Sequence, residues 1–272
     1  MKKLEALIFD VDGTLADTER DGHRIAFNRA FAEASLDWDW TVGLYGELLS
    51  VTGGKERILH YIDSYHPAFP RPGDLSKFVA DLHAAKTRHY VRLLEEGGIP
   101  LRPGVKRLLG EAREKGLRLA IATTTTPANV TALLDANLTG GASRFDAIGA
   151  GDIVPAKKPA PDIYRYVLQE LRLGPDCCVA IEDSAHGLRS ALGAGVQTLV
   201  TVNGYTAGQD FAGALAVLDQ LGEPGAPFQV LAGKAGGAAC VDVAMLRALF
   251  AGAYRHLFSQ SFSNLLWHAG TL

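Results

Sequence analysis

The second half of this chain alternates short apolar segments with amphipathic ones, and that alternation restricts the possible folds more than any other feature. Three apolar segments have the length and composition of buried strands, and they occupy residues 117–124, 178–183 and 196–202. Three segments with a helical spacing of apolar residues accompany them, at 102–116, 159–174 and 184–195. Such alternation is typical of a parallel sheet covered by helices on both faces. We therefore predict an α/β fold with a Rossmann-like, doubly wound parallel sheet.

The opening strand belongs to the same sheet, although a long helical stretch follows it. Residues 4–9 (LEALIF) are mostly apolar, and helical patterns then continue to about residue 96. An insertion this long between a strand and its sheet partners should form a domain of its own. We predict a core at residues 1–19 and 97–221 with an inserted helical domain at 20–96. The tail at 222–272, in part helical, packs on the core, mediates assembly or is partly disordered.

Three residues suit the ends of individual helices. Pro103 fits the first turn of the helix that precedes the second strand, and Gly174 fits the end of the helix before the next long strand. Asp17 fits the N-cap of the first helix of the insertion.

Composition and charge argue against several classes of function. The chain has 272 residues, a formal charge of −3 and no basic stripe, so we expect no nucleic-acid partner. Its apolar runs are too short to cross a membrane, and no signal peptide precedes the first strand. Cys177, Cys178 and Cys240 lack the spacing of a metal site or a disulfide framework. We expect a cytoplasmic protein of unknown oligomeric state, for which a monomer is a plausible form.

Four segments carry chemically reactive side chains, three of them where predicted strands end and one, with two lysines, just before a predicted helix. They comprise two acids, a run of threonines, two lysines and two further acids: Asp10 and Asp12, Thr123 to Thr125, Lys157 and Lys158, and Glu182 and Asp183. Ligands of open α/β sheets bind beyond the carboxyl ends of the strands. We therefore expect these side chains to share one site.

Acids, hydroxyls and a lysine in one site fit phosphoryl transfer. Carboxylates packed together are unfavourable unless a cation neutralises them, and a hard ion with oxygen ligands does so. Mg²⁺ is the expected ion, because it binds few carboxylates and leaves positions for substrate phosphate. One carboxylate can then attack phosphorus to give an aspartyl-phosphate, while the lysine, the hydroxyls and backbone N–H groups stabilise the transferring oxygens.

The motifs DVDGT, a strand ending in threonine, KKPAPD and IEDS resemble those of the haloacid dehalogenase-like (HAD) phosphotransferases, over roughly residues 4–220. This resemblance implies Asp10 as nucleophile and Mg²⁺ ligand. It implies Asp12 as a general acid and base that binds the metal through its backbone carbonyl. The inserted helices would be the cap that closes over the substrate. The other roles it implies are phosphate binding by Thr123 and Lys158, and metal binding by Asp183 with support from Glu182.

A finer resemblance is to the CbbY proteins, close relatives of the β-phosphoglucomutases. The segments that carry it are DVDGTLADTERDGHR, TGGKERI, AAKTRHYV, ATTTTPANV and KKPAPDIY. It implies a phosphatase that acts on a small sugar phosphate, xylulose 1,5-bisphosphate. That compound is a misfire product that inhibits Rubisco, which places the expected activity beside the Calvin cycle.

The segment SVTGGKER is similar to a phosphate-binding P-loop but does not fit its pattern. That motif needs a glycine at the position of Leu49 and Ser or Thr at that of Glu56. We interpret the segment as a cap loop that faces the substrate, and a plain helix N-terminus is the alternative. Its substrate-binding candidates are Thr52, Gly53 and Gly54, Lys55 near a distal phosphate, and Arg57.

Further candidates surround the expected site. Thr124 and Thr125 are substrate-binding candidates. Thr125 and Thr126 either donate hydrogen bonds to a second phosphate or cap the helix that begins at Pro127. Lys86 reaches either the substrate or the solvent.

Glu19 and His23 follow the first motif, where the chain enters the cap, and are also substrate-binding candidates. A phosphomutase uses a histidine here to orient the general acid. His23 stands one position later than in the mutase pattern, and Gly22 occupies the matching place. This shift weakens the mutase interpretation.

Phosphatase and phosphomutase share the core motifs, and they differ in whether water or a sugar receives the phosphoryl group. We favour the phosphatase and keep a β-phosphoglucomutase-like phosphomutase as the alternative. A non-enzymatic regulator on this scaffold would be expected to lack Asp10, whereas dehalogenase chemistry needs neither Asp12 nor a metal.

Overall fold

A seven-stranded sheet forms the centre of the protein. The computed structural model describes residues 2–97 and 99–252. The strands are β1 (Ala6–Phe9), β2 (Arg118–Ala122), β3 (Ala147–Gly149), β4 (Cys178–Glu182), β5 (Gln197–Thr201), β6 (Ala216–Leu218) and β7 (Val230–Gly233), and their order across the sheet is β3-β2-β1-β4-β5-β6-β7. The first six are parallel, and β7 pairs antiparallel with β6. The α/β fold predicted from the sequence is confirmed.

Helices cover both faces of the sheet and form the insertion. They are α1 (Arg24–Glu33), α2 (Val42–Leu48), α3 (Gly54–Tyr65), α4 (Leu75–Glu95), α5 (Val105–Glu114), α6 (Pro127–Asn137), α7 (Asp162–Leu171), α8 (Ala185–Gly193) and α9 (residues 243–252). A π-helical turn at Glu19–His23 leads into α1, and 3₁₀ turns lie at Gly141–Arg144 and Pro175–Cys177. None of the helices in the part of the chain that is described is long and apolar enough to cross a membrane.

The strand register brings the ends of three strands to one level. Phe9 of β1 lies beside Ile121 of β2 on one side and Ile181 of β4 on the other. The central strands are buried on both faces, which is why they read as continuous apolar runs. Because they are parallel, the residues after each of these positions emerge at the same edge of the sheet.

The inserted helices have an apolar core of their own. Its buried residues are mainly aromatic and aliphatic side chains of α1 to α4 and their loops: Phe27, Phe31, Trp38, Trp40, Tyr45, Leu48, Ile58, Tyr61, Ile62, Val79 and Leu82. Phe27 and Phe31 pack on Trp40 with ring centroids 4.6 and 4.9 Å apart. Aromatic pairs of this kind contribute more stability than the burial of their apolar area alone would provide.

Three predictions about helix ends are wrong. Pro103 precedes α5 instead of lying in its first turn, because Gly104 takes the N-cap position at φ +85°. Helix α7 ends at Leu171, and its C-cap is Arg172, which adopts the left-handed conformation at φ +52° two residues before Gly174. Asp17 caps none of the described helices; its carboxylate Oδ1 lies 3.4 Å from Nε of Arg102.

The described part of the tail packs on the core. Strand β7 extends the sheet, and the apolar residues Val241, Val243, Leu246 and Phe250 join the core cluster beneath it. Helix α9 agrees with the amphipathic pattern predicted for this part of the tail, and residues 253–272 lie outside the described residues.

Candidate active site

Asp10 and Asp12 lie on the turn that follows β1. The amide of Asp10 donates to Ile181 O at 3.0 Å, so β1 continues its ladder with β4 to this residue. The chain then turns sharply at Gly13, whose φ is +84°. A Cβ at this position would lie 2.3 Å from Oδ2 of Asp183, so only glycine allows the turn to approach that carboxylate.

A lysine joins two of the acids. Nζ of Lys158 lies 2.6 Å from Oδ1 of Asp10 and 2.6 Å from Oε1 of Glu182, and all three side chains are buried. The hydroxyl of Tyr164 donates to the same Glu182 oxygen at 2.5 Å. Lys158 comes just before α7, Asp10 follows β1 and Glu182 ends the adjacent strand β4, so three separate elements supply this contact.

Burial is the largest cause of the pKa shifts of the two aspartates in this group. It raises the pKa of Asp10 to about 7, with Glu182 and Asp12 adding to the rise and Lys158 opposing it. Burial also raises the pKa of Asp183 well above its usual range, and the charges of Asp10 and Glu182 raise it further. Burial acts to lower the pKa of Lys158, but the two adjacent carboxylates keep it above its usual value. The site therefore carries more acid than one lysine neutralises.

Asp10, Glu182 and Asp183 could hold a metal ion. Each offers a carboxylate oxygen, and these atoms lie within 4.8 Å of one another. Oε2 of Glu182 is buried and has no hydrogen-bond partner among the described residues. Nδ2 of Asn203 donates to Oδ2 of Asp183 at 2.6 Å and fixes that carboxylate. Oxygen ligands of this number and charge fit a hard divalent cation such as Mg²⁺.

Asp12 lies apart from that group and has its own partners. Thr18 donates to its Oδ1 at 2.5 Å, and Nε2 of His23 lies 2.7 Å from the same oxygen. Nδ1 of His23 in turn accepts from Nζ of Lys86 at 2.9 Å, and the His23 ring packs on Tyr90 at 4.2 Å between centroids. The cap therefore orients the Asp12 carboxylate through a chain of two side chains.

Two pKa shifts follow from this arrangement. Burial acts to raise the pKa of Asp12, but His23, Thr18 and Lys86 together hold it well below its usual range. Burial lowers the pKa of Lys86 to about 8, partly opposed by the charges of Asp12 and Glu19. The side chain of Lys86 is therefore buried in the protein and hydrogen-bonded to His23.

The threonines that follow β2 lie at the same edge of the sheet. Thr123 is buried, its amide donates to Gly149 O at 3.0 Å, and its hydroxyl accepts from the amide of Thr125 at 3.3 Å. The hydroxyl of Thr125 accepts from Asn129, while Thr126 caps α6. The capping role that the sequence left open for this run therefore belongs to Thr126.

A second network lies in the cap above the site. The hydroxyl of Tyr45 donates to Oε2 of Glu19 at 2.5 Å and accepts from Arg57 at 2.9 Å. Arg57 also donates to backbone carbonyls of Leu48 and Val51. Glu19 and Arg57 are thereby held in fixed positions facing the core.

Charged residues join cap and core on one side of the site. Lys55 lies 2.6 Å from Asp152, and Lys157 lies 3.0 Å from Asp152 and 3.2 Å from Glu56. We call these four residues the cap–core junction. It contains two positive and two negative groups, and its lysines come from opposite sides of the cleft.

On the other side, the cap contacts the core through a hydroxyl. Oγ1 of Thr52 lies 3.2 Å from Nδ1 of His186, at the start of α8. Gly53, between the two contacts, has φ +98°, and α3 begins at Gly54. The loop from Thr52 to Gly54 therefore spans the cleft. The same segment is also the N-terminus of α3, which was the alternative that the sequence offered for SVTGGKER.

Two cavities of about 290 and 280 Å³ meet beneath that loop. Both are lined by Asp12, Glu19, Gly53, Arg57 and Thr124. The first also contains Asp10, Thr52, Thr123, Lys158 and Asp183, and the second contains His23, Gly54, Lys55, Lys86 and Thr125. Of the residues that the sequence analysis assigned to the site, only Glu182 lines neither cavity.

Several residues of the site were not predicted from the sequence. They are Thr18, Tyr45, Asp152, Tyr164 and Asn203, and the sequence gives Lys157 no role of its own. Most stand alone in loops or helices, far in sequence from their partners, so no motif indicates them. Lys157 is the exception, because it belongs to the motif KKPAPD, in which the adjacent Lys158 is assigned to phosphate binding.

Comparison with known proteins agrees with this geometry. Residues 4–195 match the family model described as haloacid dehalogenase-like hydrolase. The chain is 49% identical to the plasmid CbbY protein of Cupriavidus necator, across 99% of this chain and 98% of that protein. It is also 49% identical to CbbY of Cereibacter sphaeroides, across 82% of this chain and 94% of that one. The Cupriavidus alignment thus includes the tail that the motifs did not cover.

Solved structures extend the likeness to the fold. The structure of CbbY from Rhodobacter sphaeroides in complex with phosphate is 49% identical, covers 80% of this chain and 94% of that one, and superposes with a TM-score of 0.75. A mutant of the same protein was solved in complex with xylulose 1,5-bisphosphate, with the same TM-score. A β-phosphoglucomutase from Clostridium difficile, at 21% identity, a TM-score of 0.65 and coverage of 80% and 91%, shares the fold alone.

Proposed function

Because this chain is an enzyme of the haloacid dehalogenase-like hydrolases and, within them, belongs to the CbbY group, we propose that it hydrolyses xylulose 1,5-bisphosphate to xylulose 5-phosphate with Mg²⁺. The single observation that carries the proposal is the position of Asp10. Its carboxylate is buried, lies 2.6 Å from Lys158 and faces a cavity shared with Asp12 and Thr123. That arrangement supports nucleophilic attack on a phosphate monoester.

In the first step, an oxygen of Asp10 attacks phosphorus and the bond between phosphorus and the sugar oxygen breaks. Asp12 must be protonated for this step, although His23, Thr18 and Lys86 favour its ionised form, and it gives that proton to the leaving oxygen, so the sugar departs as an alcohol. Lys158 and the hydroxyl of Thr123 stabilise the oxygens of the transferring group. In the second step Asp12 takes a proton from water, which attacks the aspartyl-phosphate and frees inorganic phosphate and Asp10.

Asp10, Glu182 and Asp183 would hold Mg²⁺, with the backbone carbonyl of Asp12. When bound, the ion neutralises the acids and polarises the phosphoryl oxygens. Asn203 and Tyr164 keep two of the carboxylates in place independently of the ion. His23, held by Lys86, keeps Asp12 turned away from the metal group and ready to exchange a proton.

The cap side of the site supports a substrate with two phosphates. Lys55 and Lys157 line the second cavity together with Arg57 and the threonines after β2. A second phosphate there would replace Asp152 and Glu56 as the partner of the two lysines. Since one lysine belongs to the cap and one to the core, binding of that phosphate would also draw the domains together.

The phosphomutase alternative keeps one specific observation in its favour. The contact between His23 and Asp12 is the one a mutase requires, so the shifted position of His23 no longer argues against it. A mutase must also keep water from the aspartyl-phosphate while a bisphosphate turns in the site. Both cavities are partly open to solvent, and access of water to the site favours hydrolysis.

Incubation with xylulose 1,5-bisphosphate and with β-glucose 1-phosphate separates the two activities. Release of inorganic phosphate from the first supports the phosphatase, and formation of glucose 6-phosphate from the second supports the mutase. Asp10→Asn should remove turnover in either case while the protein stays folded. The proposal includes a cytoplasmic place of action beside Rubisco, for which the substrate is an inhibitor.

A further inference from the structure

Arg102 is a buried arginine that the proposed mechanism does not use. It is only 8% exposed, and its guanidinium reaches beneath the turn that follows β1. One terminal nitrogen donates to the carbonyl of Gly13 and to Thr201 O at 3.0 Å. The other donates to Val202 O at 2.6 Å and to Asp219 O at 2.7 Å. Four backbone carbonyls from three segments of the chain therefore converge on one side chain.

These carbonyls link the turn to the far side of the sheet. Gly13 directly follows Asp12, whereas Thr201 ends β5, Val202 comes just after it and Asp219 follows β6. A buried carbonyl requires a donor, and a guanidinium can serve several carbonyls in one plane. Among the described residues no other side chain donates to the carbonyl of Gly13, so Arg102 is the side chain that links this turn to the ends of β5 and β6.

The backbone of Arg102 lies in the linker through which the chain returns from the cap. Its amide donates to Leu15 O at 2.8 Å, and Leu101 pairs with Ala16 in an antiparallel bridge. The linkers that leave and re-enter the core are therefore hydrogen-bonded to each other. Arg102 belongs to this pair and at the same time holds the turn that carries Asp12.

We propose that Arg102 is a positioning residue for Asp12: it holds the turn that carries this carboxylate against the ends of β5 and β6, from within the linker that joins core and cap. The inference rests on the acid and base role proposed for Asp12. It gives the return linker a part in the reaction, because displacement of the guanidinium would move the proton donor relative to the nucleophile. A misplacement of about 1 Å is enough to slow an enzyme about 100-fold.

The test compares Arg102→Met and Arg102→Lys with a matched control, Arg107→Met. Arg107 also donates to backbone carbonyls, of Gly222 at 2.9 Å and Val241 at 3.0 Å, but it makes no contact with the turn. All variants are assayed below their unfolding temperatures with xylulose 1,5-bisphosphate. Amide exchange of residues 11–17 is measured in parallel and needs no activity.

We expect Arg102→Met to lower kcat at least about 10-fold with KM within about 3-fold, because orientation of the acid is lost while substrate binding remains. Arg102→Lys should recover part of kcat, and amide exchange of the turn should rise only in the Arg102 variants. Arg107→Met should be destabilised with an unchanged kcat. Equal kcat in folded Arg102→Met and Arg107→Met, or failure of both Arg102 variants to fold, would overturn the inference.

The same experiment separates this inference from the proposed function. An inactive wild-type protein, or a fully active Asp12→Asn variant, contradicts the proposed function. In that event the exchange of residues 11–17 decides whether Arg102 holds the turn. If Asp12→Asn is inactive and Arg102→Met keeps both kcat and slow exchange, only the inference about Arg102 fails.

Discussion

Nε2 of His23 lies 2.7 Å from Oδ1 of Asp12, although His23 stands one residue later in the chain than the mutase pattern places its histidine. The π-helical turn explains this contact. The amide of Arg24 donates to Glu19 O, a bond between residues five apart instead of four, so the turn accommodates one extra residue. The histidine therefore reaches the carboxylate despite the shift.

The contact predicts that His23 contributes to turnover. His23→Asn should lower kcat about 100-fold, since general acid and base catalysis is worth about 10²- to 10⁴-fold and Asp12 would lose its main partner. Steady-state phosphate release measures this effect. His89→Asn, which removes a histidine that pairs with Glu33 on the surface of the cap, is the control and should stay fully active. Equal activity of both variants would exclude a role for the contact.

The π-helical turn predicts an unusual tolerance to deletion. Removal of Gly22 should convert the turn into an ordinary α-helical one and keep His23 facing Asp12, so activity should fall less than about 10-fold. Removal of Ala26, in the regular part of α1, should rotate the helix about 100° and disrupt the cap core. Activity and circular dichroism of the two deletions give the comparison. Loss of activity on deletion of Gly22 alone would show that the extra residue has another purpose.

The cap–core junction predicts selectivity for a second phosphate. Lys157→Met should raise KM for xylulose 1,5-bisphosphate about 10- to 100-fold, because a hydrogen bond to a charged group contributes about 1.5–3 kcal/mol. Turnover of xylulose 1-phosphate, which lacks the second phosphate, should not change. Lys77→Met is the control, since Lys77 pairs with Asp81 on the cap surface. An equal loss with both substrates would place the effect of Lys157 elsewhere, for example on the neighbouring Lys158.

The metal group predicts stabilisation by Mg²⁺. At 100 times its Kd, the ion should stabilise the folded protein by about 2.7 kcal/mol, because it binds only the folded state. Asp183→Asn should remove most of this stabilisation, and Asp152→Asn, at the junction, should retain it. Thermal unfolding with and without Mg²⁺ provides the measurement. If Asp183→Asn gained as much stability from Mg²⁺ as the wild type, the assigned ligands would be wrong.

The cavity on the cap side predicts a pH dependence of stability. Burial lowers the pKa of His83 to about 3, and the positive charges of Lys86, Lys55 and Lys157 add to the shift. The folded protein therefore keeps His83 neutral, while the unfolded chain takes up a proton as the pH falls below its usual pKa of 6.5. Stability from this group is present above pH 6.5 and is lost progressively between pH 6.5 and 3.

The variant His83→Gln should remove that loss. Between pH 7.5 and pH 5, the free energy of unfolding of the wild type should fall by about 2 kcal/mol more than that of the variant, as measured in urea. The two proteins at pH 7.5 are the reference, because at that pH His83 is almost entirely unprotonated in both the folded and the unfolded state. Parallel pH curves for the two proteins would contradict the assigned shift.

The sequence alone determined the fold class and most residues of the site. Strands and helices follow from local apolar patterns, and parallel strands bring their carboxyl ends to one edge whatever the details of packing. Asp10, Asp12, Thr123 and Asp183 stand next to those ends in the chain, and Lys158 stands just before a predicted helix. Their gathering at the cavity was therefore predictable without a structure.

The tertiary structure decided what each of these residues contacts. Lys158 lies between Asp10 and Glu182, Lys86 lies on His23, and the guanidinium of Arg102 lies under Gly13 because separate elements pack at those points. Such contacts depend on distances of a few ångströms between segments far apart in sequence, and no local pattern specifies them. The helix end at Arg172 has the same origin: a non-glycine residue takes the left-handed conformation where local rules favoured Gly174.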